Sequence, residues 1–153
     1  MSTPNEQADG EDLRAAFVQT LLLAGRRWRT RLNERLKAIG QTDARFFALS
    51  EIATCREGVV QRELSHRLGV EEPTVVRLLD ALQAAGWVER QVHLTDRRAK
   101  VVRATPAAKR VLTDGEAIVG ELQHDLFDGV CAHDVAVCLQ VLGVVSQRLG
   151  RPA

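Results

Sequence analysis

The sequence has no tyrosine, only four phenylalanines and two tryptophans, and three cysteines without paired spacing. Cys55, Cys131 and Cys138 form no Cys-x-x-Cys motif, and an odd number of thiols excludes a disulfide framework that uses all of them. We therefore expect the three cysteines to be reduced and partly buried.

Long apolar runs are also missing. No run approaches the roughly 20 residues that a membrane-spanning helix needs. The first twelve residues, MSTPNEQADGED, have neither the basic start nor the apolar stretch of a signal peptide. We expect a cytoplasmic protein that does not contact a membrane.

The patterns that mark most enzymes and metal sites are absent as well. The four histidines make no His-Glu-x-x-His or His-x-x-x-His pair, and no phosphate-binding glycine loop or nucleophile–base pair is evident. Cys131, His133 and Cys138 are the nearest approach to a metal site, and they lack a fourth ligand. The sequence predicts a protein that is not an enzyme and binds neither a metal nor a cofactor.

The formal net charge is only +1, but the charges are unevenly distributed. Residues 1–12 carry four acidic side chains and no basic one, whereas residues 86–110 carry seven basic and two acidic ones. Residues 111–150 carry six acidic side chains and one basic one. A basic segment between acidic ends favours nucleic-acid binding, which depends on local charge more than on the total.

Residues 60–84 have the pattern of two short helices joined by a tight turn. Leu64 and Leu68 lie four positions apart, and the second segment repeats apolar residues at helical spacing, at Val75, Leu78, Leu79, Leu82 and Ala85. We predict a first helix over 60–68, a turn at Gly69, where glycine tolerates a left-handed backbone, and a second helix from about Glu72. Pro73 falls in its first turn, where a missing N–H costs nothing. This is the helix-turn-helix arrangement, whose second helix lies in the major groove of DNA.

A β-hairpin is predicted directly after the second helix. Residues 87–92 and 99–104 read as strands, and the charged tip between them contains Arg97 and Arg98. Arginines on a hairpin beside a recognition helix suit phosphate contact or insertion into a narrow minor groove. The sequence therefore predicts a winged helix-turn-helix.

Long helices are predicted on both sides of this region. An apolar stripe at steps of three or four residues extends over 13–39, and Thr42 is a suitable cap for a shorter helix over 43–53. Two further helices are predicted from Thr105-Pro106 to about Phe127 and from near His133 to Leu149. The predicted fold is mainly α (α+β), a winged helix-turn-helix with long terminal helices.

Three segments resemble the MarR family of bacterial transcription regulators. They are VEEPTVVRLLDAL at 70–82, GWVER at 86–90 and DRRAK at 96–100, and the likeness covers roughly residues 28–112. The SlyA-like branch is the most similar. The resemblance implies a dimer in which the first helix and the last two helices of two chains interlock. A physical argument also favours a dimer: two motifs related by a two-fold axis read half-sites about 34 Å apart.

This resemblance implies a division of the chain into three parts. They are a flexible tail over 1–10, a helical dimerisation region made of 11–40 and 106–150, and a DNA-binding lobe over 41–105.

The predicted DNA contacts lie on the motif and on the wing. Thr74 and Arg77 fall on the outward side of the second helix, and the resemblance places Pro73 beside them in the groove. Arginine can pair bidentately with guanine. We expect Arg98 to enter the minor groove, with Asp96 orienting the loop. The other predicted contacts, mainly to phosphates, are Gln61, Arg62, Arg97 and Lys100. The alternative is that these are ordinary solvent-facing residues.

The resemblance also implies a small aromatic acid as effector, bound where the dimer helices meet the DNA-binding lobe. Trp28, Arg31, Phe47 and His66 would supply an aromatic wall and a partner for the anion. The alternative interpretation is that Trp28 and Phe47 are ordinary core residues.

Together these features predict a homodimeric regulator that binds a pseudo-palindromic operator in double-stranded DNA and responds to a small aromatic anion. Two alternatives remain open: a winged-helix module that binds a protein, and a redox- or metal-responsive regulator of the same fold. A steep fall of DNA affinity with salt would distinguish a DNA-binding protein from a protein-binding module.

Overall fold

Helices dominate the part of the chain that this computed structural model describes, residues 4–92 and 100–150. Three short strands form one antiparallel sheet. In chain order the elements are α1 (Pro4–Leu36), a 3-10 turn (Lys37–Ile39), α2 (Asp43–Thr54), β1 (Val59–Val60), α3 (Gln61–Leu68), α4 (Glu72–Ala84), β2 (Val88–Val92), β3 (Lys100–Ala104), α5 (Ala108–Phe127) and α6 (Ala132–Leu149). This order confirms the predicted mainly helical, winged helix-turn-helix fold.

The first helix begins earlier than predicted. α1 starts at Pro4 and so includes most of the segment assigned to an N-terminal tail. At the other end, Gly40 adopts a left-handed backbone with φ of 69° and terminates the 3-10 turn.

α2 begins at the predicted cap. Oγ1 of Thr42 accepts a hydrogen bond from the backbone N–H of Arg45 at 3.3 Å. Phe46, Leu49 and Ile52 are buried on one side of the helix, whereas Phe47 is 41% exposed. α2 packs against α1 on one side and against α3 and α4 on the other. It therefore connects the long first helix to the helix-turn-helix.

The helix-turn-helix is α3, a turn at Gly69 and α4. Gly69 has φ of 63°, and its N–H caps the end of α3. Leu64 of α3 is fully buried with Val75 and Leu79 of α4, in a core that also contains apolar residues of α2 and the sheet. The predicted helical spacing of apolar residues therefore identified the buried face of both helices.

The sheet contains one strand that the sequence did not predict. The order is β1-β3-β2, and Val59 and Val60 pair with Val102 and Val101. A two-residue strand has no periodicity to detect, and it forms only because β3 supplies a partner. Gly58 before it has φ of 84°, and a Cβ there would lie 2.5 Å from Cγ1 of Val101. Only glycine fits that approach.

Contacts divide the chain into two units, residues 1–119 and 120–153. In the first unit α5 lies close to α2, since a Cβ on Gly115 would collide with the ring of Phe46. In the second unit most side chains of α6 are exposed, including Leu139 at 64%. The predicted division into a DNA-binding lobe and a dimerisation region concerns an assembled dimer and stays a prediction.

No single helix within residues 4–92 and 100–150 is long and apolar enough to cross a membrane. Ala108–Phe127 and Ala132–Leu149 have the required length and composition only when taken as one pair, and that pair is bent at its junction.

Candidate nucleic-acid interface

The outward face of α4 carries the side chains predicted to read bases. Pro73 is in the first turn, and Pro73, Thr74 and Arg77 are all exposed. Val75 and Leu79 on the opposite face are fully buried, which fixes the rotation of the helix. Arg77 makes no ion pair with any residue that the structure describes, so its guanidinium is available to an external acceptor.

The start of α3 and the turn after it form a groove beside this face. Its volume is about 520 Å³, and it is lined by Arg62, Ser65, His66, Gly69, Val70, Glu71 and Glu72. The Arg62 side chain is 79% exposed, and its Nε lies 4.0 Å from Oε1 of Glu72. That contact is too long to hold Arg62 firmly, so the side chain can reach a phosphate. Gln61 is half-buried.

Arg90 on β2 links the wing to α4, a contact that the sequence analysis did not predict. Its Nη2 donates to Oδ1 of Asp80 at 2.7 Å and to the backbone carbonyl of Val76 at 3.3 Å. Val76 directly precedes Arg77. Opposite charges ten positions apart follow no helical or strand periodicity, so only the fold brings them together.

Arg67 at the end of α3 links that helix to the end of α2. Its Nη2 donates to Oε1 of Glu63 at 2.6 Å, and its Nη1 donates to Oε1 of Glu51 at 3.0 Å and to Sγ of Cys55 at 3.3 Å. The hydrogen bonds to Glu63 and then to Glu51 raise the pKa of Arg67 above its ordinary value. The i, i+4 pair with Glu63 was visible in the sequence, whereas the contact with α2 was not.

The wing is described as far as its strands. β2 and β3 pair in register from Val88 with Ala104 to Val92 with Lys100, and Lys100 is exposed. The predicted wing-tip residues Asp96, Arg97 and Arg98 lie outside the described residues, and their roles stay predictions.

The four predicted ligand residues lie on three helices: Trp28 and Arg31 on α1, Phe47 on α2 and His66 on α3. Trp28 on α1 is half-buried, Arg31 is exposed, and the ring of Phe47 lies 5.7 Å from that of Phe46. His66 lines the groove of α3, and none of the other three lines that groove. Their assignment to one pocket stays a prediction.

A second cavity lies where the 3-10 turn, Trp87 and the start of α5 meet. Its volume is about 350 Å³, and the lining residues are Ala38, Ile39, Trp87, Ala107, Arg110, Val111 and Asp114. It combines a tryptophan, aliphatic side chains and one arginine, whose Nε lies 3.7 Å from Oδ2 of Asp114. No sequence pattern indicated this cavity, because its residues come from three separate segments.

The cysteines are free thiols, and the expectation of partial burial is correct only for Cys55. Cys131 and Cys138, by contrast, are exposed. Among the residues that the structure describes, no three His, Cys, Asp or Glu side chains converge as metal ligands would.

The fold and this interface define a winged helix-turn-helix protein. A family model described as the MarR family matches residues 39–99. The crystal structure of the transcriptional regulator PA3341 shares 38% sequence identity with the chain, with a TM-score of 0.78, over 87% of this chain and 97% of that one. The chain belongs to the MarR family of transcriptional regulators.

Two other solved structures show what similar proteins bind. A mutant MarR from E. coli, complexed with operator DNA, is 27% identical, with a TM-score of 0.78 over 85% of this chain and 93% of that one. CouR from Rhodococcus jostii RHA1, bound to p-coumaroyl-CoA, is 25% identical, with a TM-score of 0.74 over 82% of this chain and 88% of that one.

Proposed function

We propose that the chain is a homodimeric transcription regulator that binds a pseudo-palindromic operator in double-stranded DNA. The observation that carries the proposal is the outward face of α4, where Thr74 and Arg77 are exposed. An arginine such as Arg77, which forms no ion pair with any described residue, can donate two hydrogen bonds to a guanine edge. Gln61, Arg62, Arg97 and Lys100 would contact phosphates, and Arg98, oriented by Asp96, would enter the minor groove.

The proposed partner for dimerisation is a second copy of the chain. α1 exposes six large apolar residues, Leu13, Phe17, Val18, Leu21, Leu22 and Leu23. α6 separately exposes Val137, Leu139, Val141, Val144 and Leu149. Each set is larger than the scattered apolar residues normal on a monomer surface, so burial against another chain would be favourable. A two-fold dimer would also present two α4 helices to successive major grooves.

We further infer that a small aromatic anion modulates DNA binding, as in the SlyA-like branch that the sequence resembles. The ligand in the CouR structure, p-coumaroyl-CoA, contains an aromatic acyl group, which supports an effector with an aromatic ring. The cavity at Trp87 and Arg110 offers an aromatic wall and a cation. It is an alternative to the site predicted at Trp28, Arg31, Phe47 and His66.

The proposal requires no enzymatic activity or cofactor, and binding to chromosomal DNA would place the protein in the bacterial cytoplasm. A redox-responsive regulator of the same fold is the second candidate. The observation that favours it is the 3.3 Å contact between Nη1 of Arg67 and Sγ of Cys55, because oxidation of that sulfur would disrupt a contact between α3 and the end of α2.

The test is selection of duplexes from a random pool by the purified full chain, followed by fluorescence anisotropy and sedimentation. We expect a dimer, selected sequences with two-fold symmetry, and affinity that falls by orders of magnitude between about 50 and 200 mM salt. A monomer, or a protein that binds no duplex at about 50 mM salt, would overturn the proposal. A winged-helix module that binds a protein would likewise bind no duplex at this low salt concentration.

A further inference from the structure

A cluster of polar side chains joins the long first helix to α2. Nε of Arg29 donates to Oδ2 of Asp43 at 2.7 Å, and Nδ2 of Asn33 donates to Oδ1 of Asp43 at 3.1 Å. Oδ1 of Asn33 accepts from the backbone N–H of Asp43 at 2.8 Å. Residues of α1 thus hold both carboxylate oxygens and one N–H at the beginning of α2.

The burial of Asp43 indicates a geometric role for the cluster, in which the Arg29 side chain itself is 67% exposed. The Asp43 side chain is only 9% exposed. Removing a carboxylate from water is costly, so such an ion pair adds little net stability compared with an apolar contact of similar size. Apolar contacts are non-directional, whereas three hydrogen bonds restrict both rotation and sliding of one helix against the other. The cluster is therefore suited to fixing the register of α1 on α2.

Register at this point determines where the helix-turn-helix lies. α2 packs against α3 and α4, and at its other end Glu51 accepts a hydrogen bond from Arg67 of α3. α2 has 12 residues, which corresponds to a length of about 18 Å. A tilt of about 10° at Asp43 would move its far end by ~3 Å, close to the ~3.4 Å rise of one base pair.

We propose that Arg29, Asn33 and Asp43 are positioning residues that set the separation of the operator half-sites accepted by the dimer. This inference rests on the function proposed above. In a two-fold dimer held through α1, a rotation of α2 relative to α1 occurs in both subunits in symmetry-related directions. The two α4 helices then move together or apart, while each keeps its own DNA-reading surface.

The experiment compares three duplexes with the full-length protein. They are the palindrome selected by the wild type, the same palindrome with one base pair inserted at its centre, and a duplex with a single half-site. The variants are Asp43→Asn and Arg29→Gln. An asparagine at 43 keeps the size of the side chain but places an NH₂ group against a donor, since each carboxylate oxygen accepts from a different donor. Arg27→Gln, two residues along on the exposed surface of α1, is the matched control.

We expect the wild type and Arg27→Gln to prefer the selected spacing at least tenfold, and Asp43→Asn and Arg29→Gln to prefer it less than threefold. Single half-site affinity should stay within twofold in every variant. A retained tenfold preference in folded, dimeric variants would overturn the proposal, as would an equal loss on all three duplexes, which indicates a structural role. If Asp43→Asn does not fold, Arg29→Gln decides. A wild type that binds none of the duplexes would instead refute the proposed function.

Discussion

The guanidinium of Arg90 on β2 lies 2.7 Å from the carboxylate of Asp80 on α4 and also bonds the carbonyl of Val76. The Arg90 side chain is only 16% exposed, whereas that of Asp80 is 59% exposed. A charge-assisted contact of this kind ties the wing to the helix that carries Thr74 and Arg77. The wing and the recognition helix should therefore move as one body.

The first prediction concerns this contact. Arg90→Gln should lower the free energy of unfolding by about 1–2 kcal/mol, because two hydrogen bonds to a largely buried cation are lost and solvent screens only the Asp80 side. Operator affinity should fall as well, because α4 loses its contact with β2. Urea unfolding and anisotropy measure the two effects. The control is Glu89→Gln, an exposed neighbour. Reduced stability with unchanged DNA affinity would mean that the pair supports only the fold.

The second prediction concerns base recognition by α4. Arg77→Ala should reduce the preference for the selected operator over random duplex by about 1–3 kcal/mol, because a bidentate contact to a base is sequence-specific. Arg62→Ala, in contrast, should weaken binding to both duplexes equally. It should also reduce the slope of log affinity against log salt concentration by about one. Anisotropy titrations on the two duplexes at several salt concentrations separate these effects. Equal losses for Arg77→Ala would identify it as a phosphate contact.

Local patterns explain why the helix-turn-helix was predictable. Gly69 supplied a left-handed turn, Pro73 marked a first helical turn, and Val75 and Leu79 followed helical spacing. Each of these signals lies within a few residues of the feature that it determines. The burial of Leu64 followed from the same periodicity.

Contacts between distant segments explain what was not predictable. β1 exists because Val59 meets Val102, and Asp43 is held by a helix that ends several residues earlier. Neither pairing leaves a periodic trace in the sequence. Exposure along the predicted apolar stripe of α1 is uneven for a similar reason. Leu32 and Leu36 are buried, whereas Leu13 is 73% exposed because no described residue covers it.

The third prediction locates the effector site with the two tryptophans. Trp87 lines the cavity that contains Arg110, and Trp28 lies on α1. If benzoate binds in the cavity, it should change the fluorescence of the wild type and of Trp28→Phe, but not that of Trp87→Phe. A change in the wild type and in Trp87→Phe, but not in Trp28→Phe, would place the ligand at the site that the sequence predicts around Trp28. No change in any of the three proteins would remove the aromatic-acid effector from the proposal.

The fourth prediction concerns a buried amide beside the α1–α2 junction. Gln41 is 2% exposed, and neither side-chain polar atom has a hydrogen-bond partner among the described residues. Gln41→Met preserves the approximate shape and removes the desolvated polar atoms, so the free energy of unfolding should rise by about 1–3 kcal/mol. Urea unfolding measures the change, with the exposed Gln83→Met as control. A loss of stability would show that the amide is hydrogen-bonded in the assembled protein.

The last prediction is a pH dependence that originates at Asp43. Burial raises the pKa of this carboxyl group, but hydrogen bonds from Arg29, Asn33 and the N–H of Ala44, together with the charge of Arg29, outweigh burial, and the net pKa lies below the ordinary value of 3.8. The unfolded chain therefore takes up this proton at a higher pH than the folded chain does. Stability from the ionised group is complete above the unfolded pKa and is lost as the pH falls through the folded pKa.

The wild type should accordingly exceed Asp43→Asn in free energy of unfolding by a constant amount above about pH 5. That difference should shrink as the pH falls below 3.8. Arg29→Gln removes one of the stabilising hydrogen bonds, so the difference between the wild type and this variant should shrink over the same range. Urea unfolding at closely spaced pH values provides the measurement. A difference that stays constant down to about pH 2 would mean that the cluster does not favour the carboxylate. The geometric role of Arg29 and Asn33 would then have to depend on hydrogen bonds that do not require the ionised carboxylate of Asp43.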